Sequence, residues 1–131
     1  MALWSRIRAL LSGSSRRDPR IRLVEGGFDV VSSEAASAVA SVRWQNVLRV
    51  HTYKIDLATT DCICLAFEFN SGTTPVQVSE EWAGFAELFA PLAAAFPTIS
   101  PDWYAEVMTP AFKTNHRVLY DAGPSHSAAI V

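Results

Sequence analysis

From Cys62 to Phe69 the chain alternates without a break. Ile63, Leu65, Phe67 and Phe69 fall on one side of an extended strand, and Cys62, Cys64, Ala66 and Glu68 fall on the other. Shortly afterwards the period changes from two to 3.6. Trp82, Phe85, Leu88, Phe89, Leu92 and Phe96 make one apolar stripe, with Ser79 as N-cap and Glu80 and Glu81 in the first turn, where a helix dipole favours acids. Burying each such side chain is worth about 1.5–3 kcal/mol, so the helix is expected to pack on the apolar face of the sheet. These two segments point to an α+β fold with an antiparallel sheet and one long amphipathic capping helix. Pro91 is expected to kink or split that helix, and Pro97 to end it.

The remaining elements follow from shorter signals. Residues 21–31 read as a hairpin turning at Gly26-Gly27. Ser32–Ser41 is small and polar, a loop or weak helical turn, and Val42-Arg43-Trp44 is a short strand. Val47–Ile55 is β-branched and aromatic enough for a long strand, Asp56–Asp61 is a polar turn, and Pro75–Val78 is a further strand. Ser100-Pro101-Asp102 starts a second helix over Trp103–Met108. Phe112–Tyr120 is either a final strand or an ordered arm. The count is five or six strands in one domain of residues 21–121, flanked by an arm at 1–20 and a disordered tail at 122–131.

Charge is unevenly placed. Residues 1–22 hold Arg6, Arg8, Arg16, Arg17, Arg20 and Arg22 against Asp18, a net of +5, while the rest of the chain carries −7. Within the arm Leu3, Trp4, Ile7, Leu10 and Leu11 share one helical face, and Ser12-Gly13-Ser14-Ser15 breaks the pattern. Three readings stand for it: an anchor on an anionic membrane surface through the six arginines, an organelle transit peptide, or a frayed start that caps the domain or a neighbour. The arginines interrupt the apolar stretch too early for a secretory signal. With two cysteines in the chain, a reducing cytoplasm is the expected location, peripheral at the inner membrane if the arm is an anchor.

The segment Val42-Arg43-Trp44-Gln45-Asn46-Val47, with Trp44, Val47 and Val50 leading into the long strand, resembles the pleckstrin-homology-like domains of small bacterial proteins. Ser79-Glu80-Glu81-Trp82-Ala83-Gly84-Phe85 and Pro97 are similar to uncharacterised bacterial members. The resemblance runs from Ile21 to Pro97 and implies a sheet curling into a partly open barrel closed by a C-terminal helix. The chain departs from it at Pro91 and in the Trp103–Tyr120 extension. The early hairpin loop also lacks the Lys/Arg cluster that phosphoinositide-binding relatives carry, so that ligand is not expected.

No motif points to catalysis. Cys62 and Cys64 lie two apart on one strand face, a poor disulfide geometry, and His51, His116 and His126 lack ligand spacing for a zinc site. The Glu80/Glu81 and Asp102/Glu106 pairs sit where helix starts favour acids. Gly26-Gly27 is followed by a strand, not by a phosphate-cradling helix. No cofactor is expected, and the acidic body argues against nucleic acid. The expected function is a non-catalytic module that binds a protein partner, with Glu80, Glu81, Glu87, Trp103 and Tyr104 as candidate contacts. An immunity (antitoxin-like) protein whose acidic surface blocks a toxin is the alternative, and an enzyme using Cys64 or His51 is a distant third. If Trp103, Tyr104 and Phe112 form an exposed arm they are interface residues, and if they are core, mutating them unfolds the domain.

Overall fold

The computed structural model describes residues 19–32, 37–57, 60–110 and 113–123. The basic arm up to Asp18, Phe112 and the tail from Pro124 onward lie outside the described residues. Among the described residues seven strands form two antiparallel sheets: β1 (Arg20–Val24), β2 (Gly27–Val31) and β3 (Ala38–Arg43) in the first, and β4 (Val47–Asp56), β5 (Asp61–Phe69), β6 (Val76–Ser79) and β7 (Arg117–Asp121) in the second. The spatial order is β1-β2-β3 in one sheet and β6-β5-β4-β7 in the other. The sheets do not close into a barrel. The chain leaves β3 through a 3-10 turn at Trp44–Asn46, so β3 and β4 belong to different layers.

The two layers meet on the faces that the alternation predicts. Ile63, Leu65, Phe67 and Phe69 of β5 share one apolar cluster with Ile21, Phe28, Val30 and Val42 of the three-stranded sheet. Trp44 fills the corner between the layers, its ring 5.6 Å from Phe28, 6.2 Å from Phe67 and 5.8 Å from Phe96. A tryptophan is large enough to touch all three from the turn where the chain changes sheet.

Several boundaries differ from the sequence reading. The hairpin turns at Glu25-Gly26, because Gly27 already pairs with Val24 and with Arg43. The third strand begins at Ala38, inside the stretch read as loop, where pairing with β2 overrides weak propensity. The final segment is a strand, since β7 pairs with β4 from Thr52↔Arg117 to Arg49↔Asp121. Ala122, assigned to the tail, donates its N–H to Leu48 O at 2.9 Å.

The long capping helix is the main correction. Ser79 ends β6, and only Phe89–Ala95 is α-helical (α1), entered through a 3-10 turn at Ala86–Leu88. Trp82, Phe85 and Leu88 are spaced three apart, and the backbone follows that period with N–H groups of Trp82, Phe85 and Leu88 bonding to the carbonyls of Ser79, Trp82 and Phe85. Ile21 N–H takes the carbonyl of Ala83 at 2.8 Å, so this stretch is recruited to the edge of β1. Gly84 makes the approach possible, with φ +94 and a position where a Cβ would stand 2.5 Å from Ile21 O. Pro91 neither kinks nor splits α1, because it is the third residue of the helix, where the missing N–H has no partner to lose.

The second helix, α2 (Trp103–Met108), has the expected bounds, and Ser100 Oγ accepts from Asp102 N–H at its start. Its C-terminus is fastened by Lys54 of β4, whose side chain is 2% exposed. The Lys54 ammonium donates to Met108 O at 2.8 Å and to Pro110 O, and lies 3.4 Å from Asp61. No helix among the described residues is long and apolar enough to cross a membrane.

Candidate functional site

Two places on the described surface concentrate polar chemistry. The first is the side of the four-stranded sheet facing away from the core, which we call its outer face. Arg49, His51 and Tyr53 of β4 stand there beside Cys62, Cys64, Ala66 and Glu68 of β5 and Gln77 and Ser79 of β6. The β4–β5 register sets His51 opposite Ala66 and Tyr53 opposite Cys64. His116, the residue before β7, completes the group.

His51 sits in the middle of a hydrogen-bonded chain. Its Nε2 is 3.3 Å from Glu68 Oε2 and its Nδ1 is 2.9 Å from His116 Nε2. The two rings are nearly parallel, 16° apart, with centroids at 5.1 Å. A Glu68 carboxylate can only accept, so His51 Nε2 carries a proton in this bond, while either His51 Nδ1 or His116 Nε2 donates in the other, according to tautomer. Arg49 donates to Glu68 at 2.8 Å and to Asp121 at 3.1 Å, tying β5 and β7 to β4 on the same side. Burial and the neighbouring His51 imidazole hold His116 below its ordinary pKa. The hydrogen bond to Glu68 raises Arg49, and the Gly123 N–H together with Arg49 lowers Asp121. Both nitrogens of His51 are engaged, so the ring does not present a base to Cys64. Sequence separation hid this group: β4–β7 pairing alone brings His51 and His116 together.

The cysteines lie deeper. Cys62 Sγ is 3.0 Å from Ser79 Oγ, and Tyr53 OH donates to Gln77 Oε1. Cys62 beside it and burial push the Cys64 thiol far up, and burial does the same for Tyr53. Such a thiol is inert as a nucleophile. Among the described residues no three His, Cys, Asp or Glu side chains gather closely enough to hold a metal ion.

The second place is a cleft of about 550 Å³ lined by Ser41, Arg43, Asn46, Phe69, Asn70, Ser71 and Thr73. One wall is the end of β3 and the other is the β5–β6 loop. Among the described lining residues Arg43 is the only charged one, and it also donates to Phe28 O and Val42 O and pairs with Asp29 at 3.3 Å. The cleft runs against the outer edge of β3, which no strand pairs among the described residues. That edge is exposed at Ala38, Val39 and Ser41, with Val39 62% accessible. Nothing in the sequence marked this cleft, because its lining is drawn from the end of β3, the turn after it and the β5–β6 loop, which are far apart in the chain.

The residues singled out from sequence divide between surface and framework. Glu80 belongs to the framework, since its carboxylate accepts from Ile63 N–H at 2.7 Å and from Tyr104 OH at 2.6 Å. The bond to Glu80, with burial, pushes Tyr104 up to about 12. Trp103 is buried against Phe89, so the core alternative holds for it and it is no exposed contact; Tyr104 is half-buried against the same ring. Glu81 and Glu87 are exposed. Arg20 and Arg22 are exposed on β1, with Arg22 paired to Asp29 at 3.0 Å, whereas Arg6, Arg8, Arg16 and Arg17 lie outside the described residues. No family model, no curated protein and no solved structure matches the chain.

Proposed function

We propose that the chain is a non-catalytic interaction module that takes an extended segment of a protein partner along the open edge of β3, with its pleckstrin-homology-like sheets as scaffold. One observation carries this reading: an exposed strand edge, unpaired among the described residues, lies beside a polar cleft of about 550 Å³. An added strand gains main-chain hydrogen bonds from the edge, while alternate side chains enter the cleft and give selectivity. Arg43 favours a carboxylate there, and Asn46, Asn70, Ser71 and Thr73 supply donors and acceptors for the rest. The arginines of the arm would hold the module at an anionic membrane surface.

The test is selection of peptides from a random displayed library on the full chain, followed by affinity measurement on two variants. Ser71→Trp fills the cleft, and Val39→Lys places a charge on the edge; both positions are exposed, so the fold is retained. Selected peptides should lose at least tenfold in affinity on both. Peptides that bind both variants as well as the parent would refute the assignment.

A further inference from the structure

We infer that the segment bound along β3 carries an aspartate or glutamate at the N-terminal end of its paired stretch, and that the cleft holds that side-chain carboxylate. This rests on the edge reading above and names what the cleft selects. Arg43 makes all its bonds through one nitrogen: Nη1 donates to Phe28 O at 3.4 Å, to Val42 O at 3.2 Å and to Asp29 Oδ1 at 3.3 Å. Nε and Nη2, the opposite edge of the guanidinium, bond to nothing among the described residues, and the side chain is 39% accessible. That edge is the one that grips a carboxylate through two parallel hydrogen bonds. The side-chain amides of Asn46 and Asn70, which also line the cleft, have no partner among the described residues either.

These donors are held in place before any ligand arrives. Gly27 lies opposite Arg43 in the β2–β3 register, with no side chain to crowd it. Asn70 N–H bonds to Asn46 O at 2.9 Å and so ties the two walls together, and Gly72 N–H closes the β5–β6 turn on Phe69 O at 3.1 Å. A site fixed in advance loses little freedom on binding. Charge then selects the ligand. Arg22 and Arg43 flank Asp29 at 3.0 and 3.3 Å, and hydrogen bonds from Ser41 and Arg22 hold the Asp29 carboxyl below its ordinary range. Two guanidiniums against one carboxylate leave a single positive charge, which one further carboxylate neutralises. A phosphate group of about −2 would leave an excess of negative charge beside Asp29. Direction places the acid within the segment. Both sheets pair antiparallel, the more stable mode, and β3 runs from Ala38 to Arg43 at the cleft. A segment added antiparallel meets Arg43 first and then passes Val42, Ser41 and Ala40. A chain-terminal carboxylate would come to rest near Ala38, away from the guanidinium.

The first probe is the methylamide of N-acetyl-aspartate, titrated into the isotope-labelled full chain and followed by nuclear magnetic resonance. The Arg43 Nε–H and the side-chain amides of Asn46 and Asn70 should shift together and saturate, and the asparagine analogue should move none of them. Asn46→Ala/Asn70→Ala, at two exposed positions, should weaken binding at least threefold, and Arg43→Gln should abolish it with the urea midpoint showing a folded chain. No shift at Arg43, or equal shifts with the asparagine analogue, would overturn the inference. Tenfold tighter binding of the phosphoserine analogue would overturn it too, since the cleft would then be a phosphate site. Peptides selected from the displayed library supply the second readout. An acid should recur at their N-terminal side, and its replacement by the amide should cost at least tenfold on the parent and less than twofold on Arg43→Gln. Peptides without a recurrent acid that still weaken on Ser71→Trp and Val39→Lys would sink this inference and leave the edge reading standing. Peptides indifferent to those two variants would remove the edge reading, and the inference with it.

Discussion

Lys54 offers the sharpest test of how this small domain holds its second helix. Its ammonium is enclosed, and its neighbours are all acceptors: the carbonyls of Met108 and Pro110 at the end of α2, and the Asp61 carboxylate on β5. Lys54→Met keeps the apolar stem and removes the charge. Two main-chain carbonyls and a carboxylate then lose their donor together. Removing one partner of a buried pair costs about 3–5 kcal/mol, and the partial exposure of Asp61 puts this case near 3. With a urea slope of about 1.5 kcal/mol/M, the unfolding midpoint should fall by about 2 M, and the melting temperature by about 10 °C. Adding Asp61→Asn should recover about 1 kcal/mol, because the side chain that faced the ammonium is then neutral. Amide exchange should rise first in Trp103–Met108, which loses its anchor to β4. A midpoint shift below about 0.5 M would refute the reasoning, since the ammonium would then contribute no more than a surface charge.

Three other outcomes follow from the same geometry. Gly84→Ala should destabilise by about 3 kcal/mol in urea, since it combines a positive φ with a Cβ 2.5 Å from Ile21 O; a loss under about 1 kcal/mol would show that β1 and the Ala83 segment part easily. Glu80→Gln and Tyr104→Phe should each cost about 1–2 kcal/mol and couple by at least about 0.5 kcal/mol in a double-mutant cycle, whereas simple additivity would remove the bond between them. His116 titrates below its ordinary 6.5 when folded, so the unfolded chain takes up the proton first as pH falls. Stability should therefore decline on acidification below about pH 6.5, and His116→Gln should flatten that decline in urea midpoints.

What the sequence made legible was decided by side-chain period. The alternation of Cys62–Phe69 places each residue on the face it occupies, because a one-residue slip would put four large apolar groups in the wrong layer. The capping segment misled for a related reason. Trp82, Phe85 and Leu88 fit periods of three and of 3.6 equally well, and the choice fell to a backbone bond between Ile21 and Ala83, far apart in sequence. Glu80 read as a helix-start acid on an accessible surface, whereas Ile63 and Tyr104 from two other elements claim its oxygens. The Glu68–His51–His116 chain was invisible because register between β4, β5 and β7 makes it, and the cleft because it joins the end of β3 in one sheet to the β5–β6 loop of the other; no local pattern encodes contacts across so many residues.

Membrane attachment through the arginines of residues 1–22, as proposed above, is decided by charge rather than by apolar area. Burying the apolar stripe of residues 1–11 in a bilayer yields about 1.5–3 kcal/mol per side chain on neutral and anionic lipid alike, so the apolar term does not discriminate. Over anionic lipid Arg6, Arg8, Arg16 and Arg17 add about 1 kcal/mol apiece, about 4 kcal/mol together, close to a thousandfold. The full chain should therefore sediment with anionic vesicles far more than with neutral ones, and salt should suppress the difference. Replacing the four arginines together by glutamine should bring the anionic case down to the neutral one. Equal sedimentation of parent and variant with anionic vesicles would refute the role of the arm.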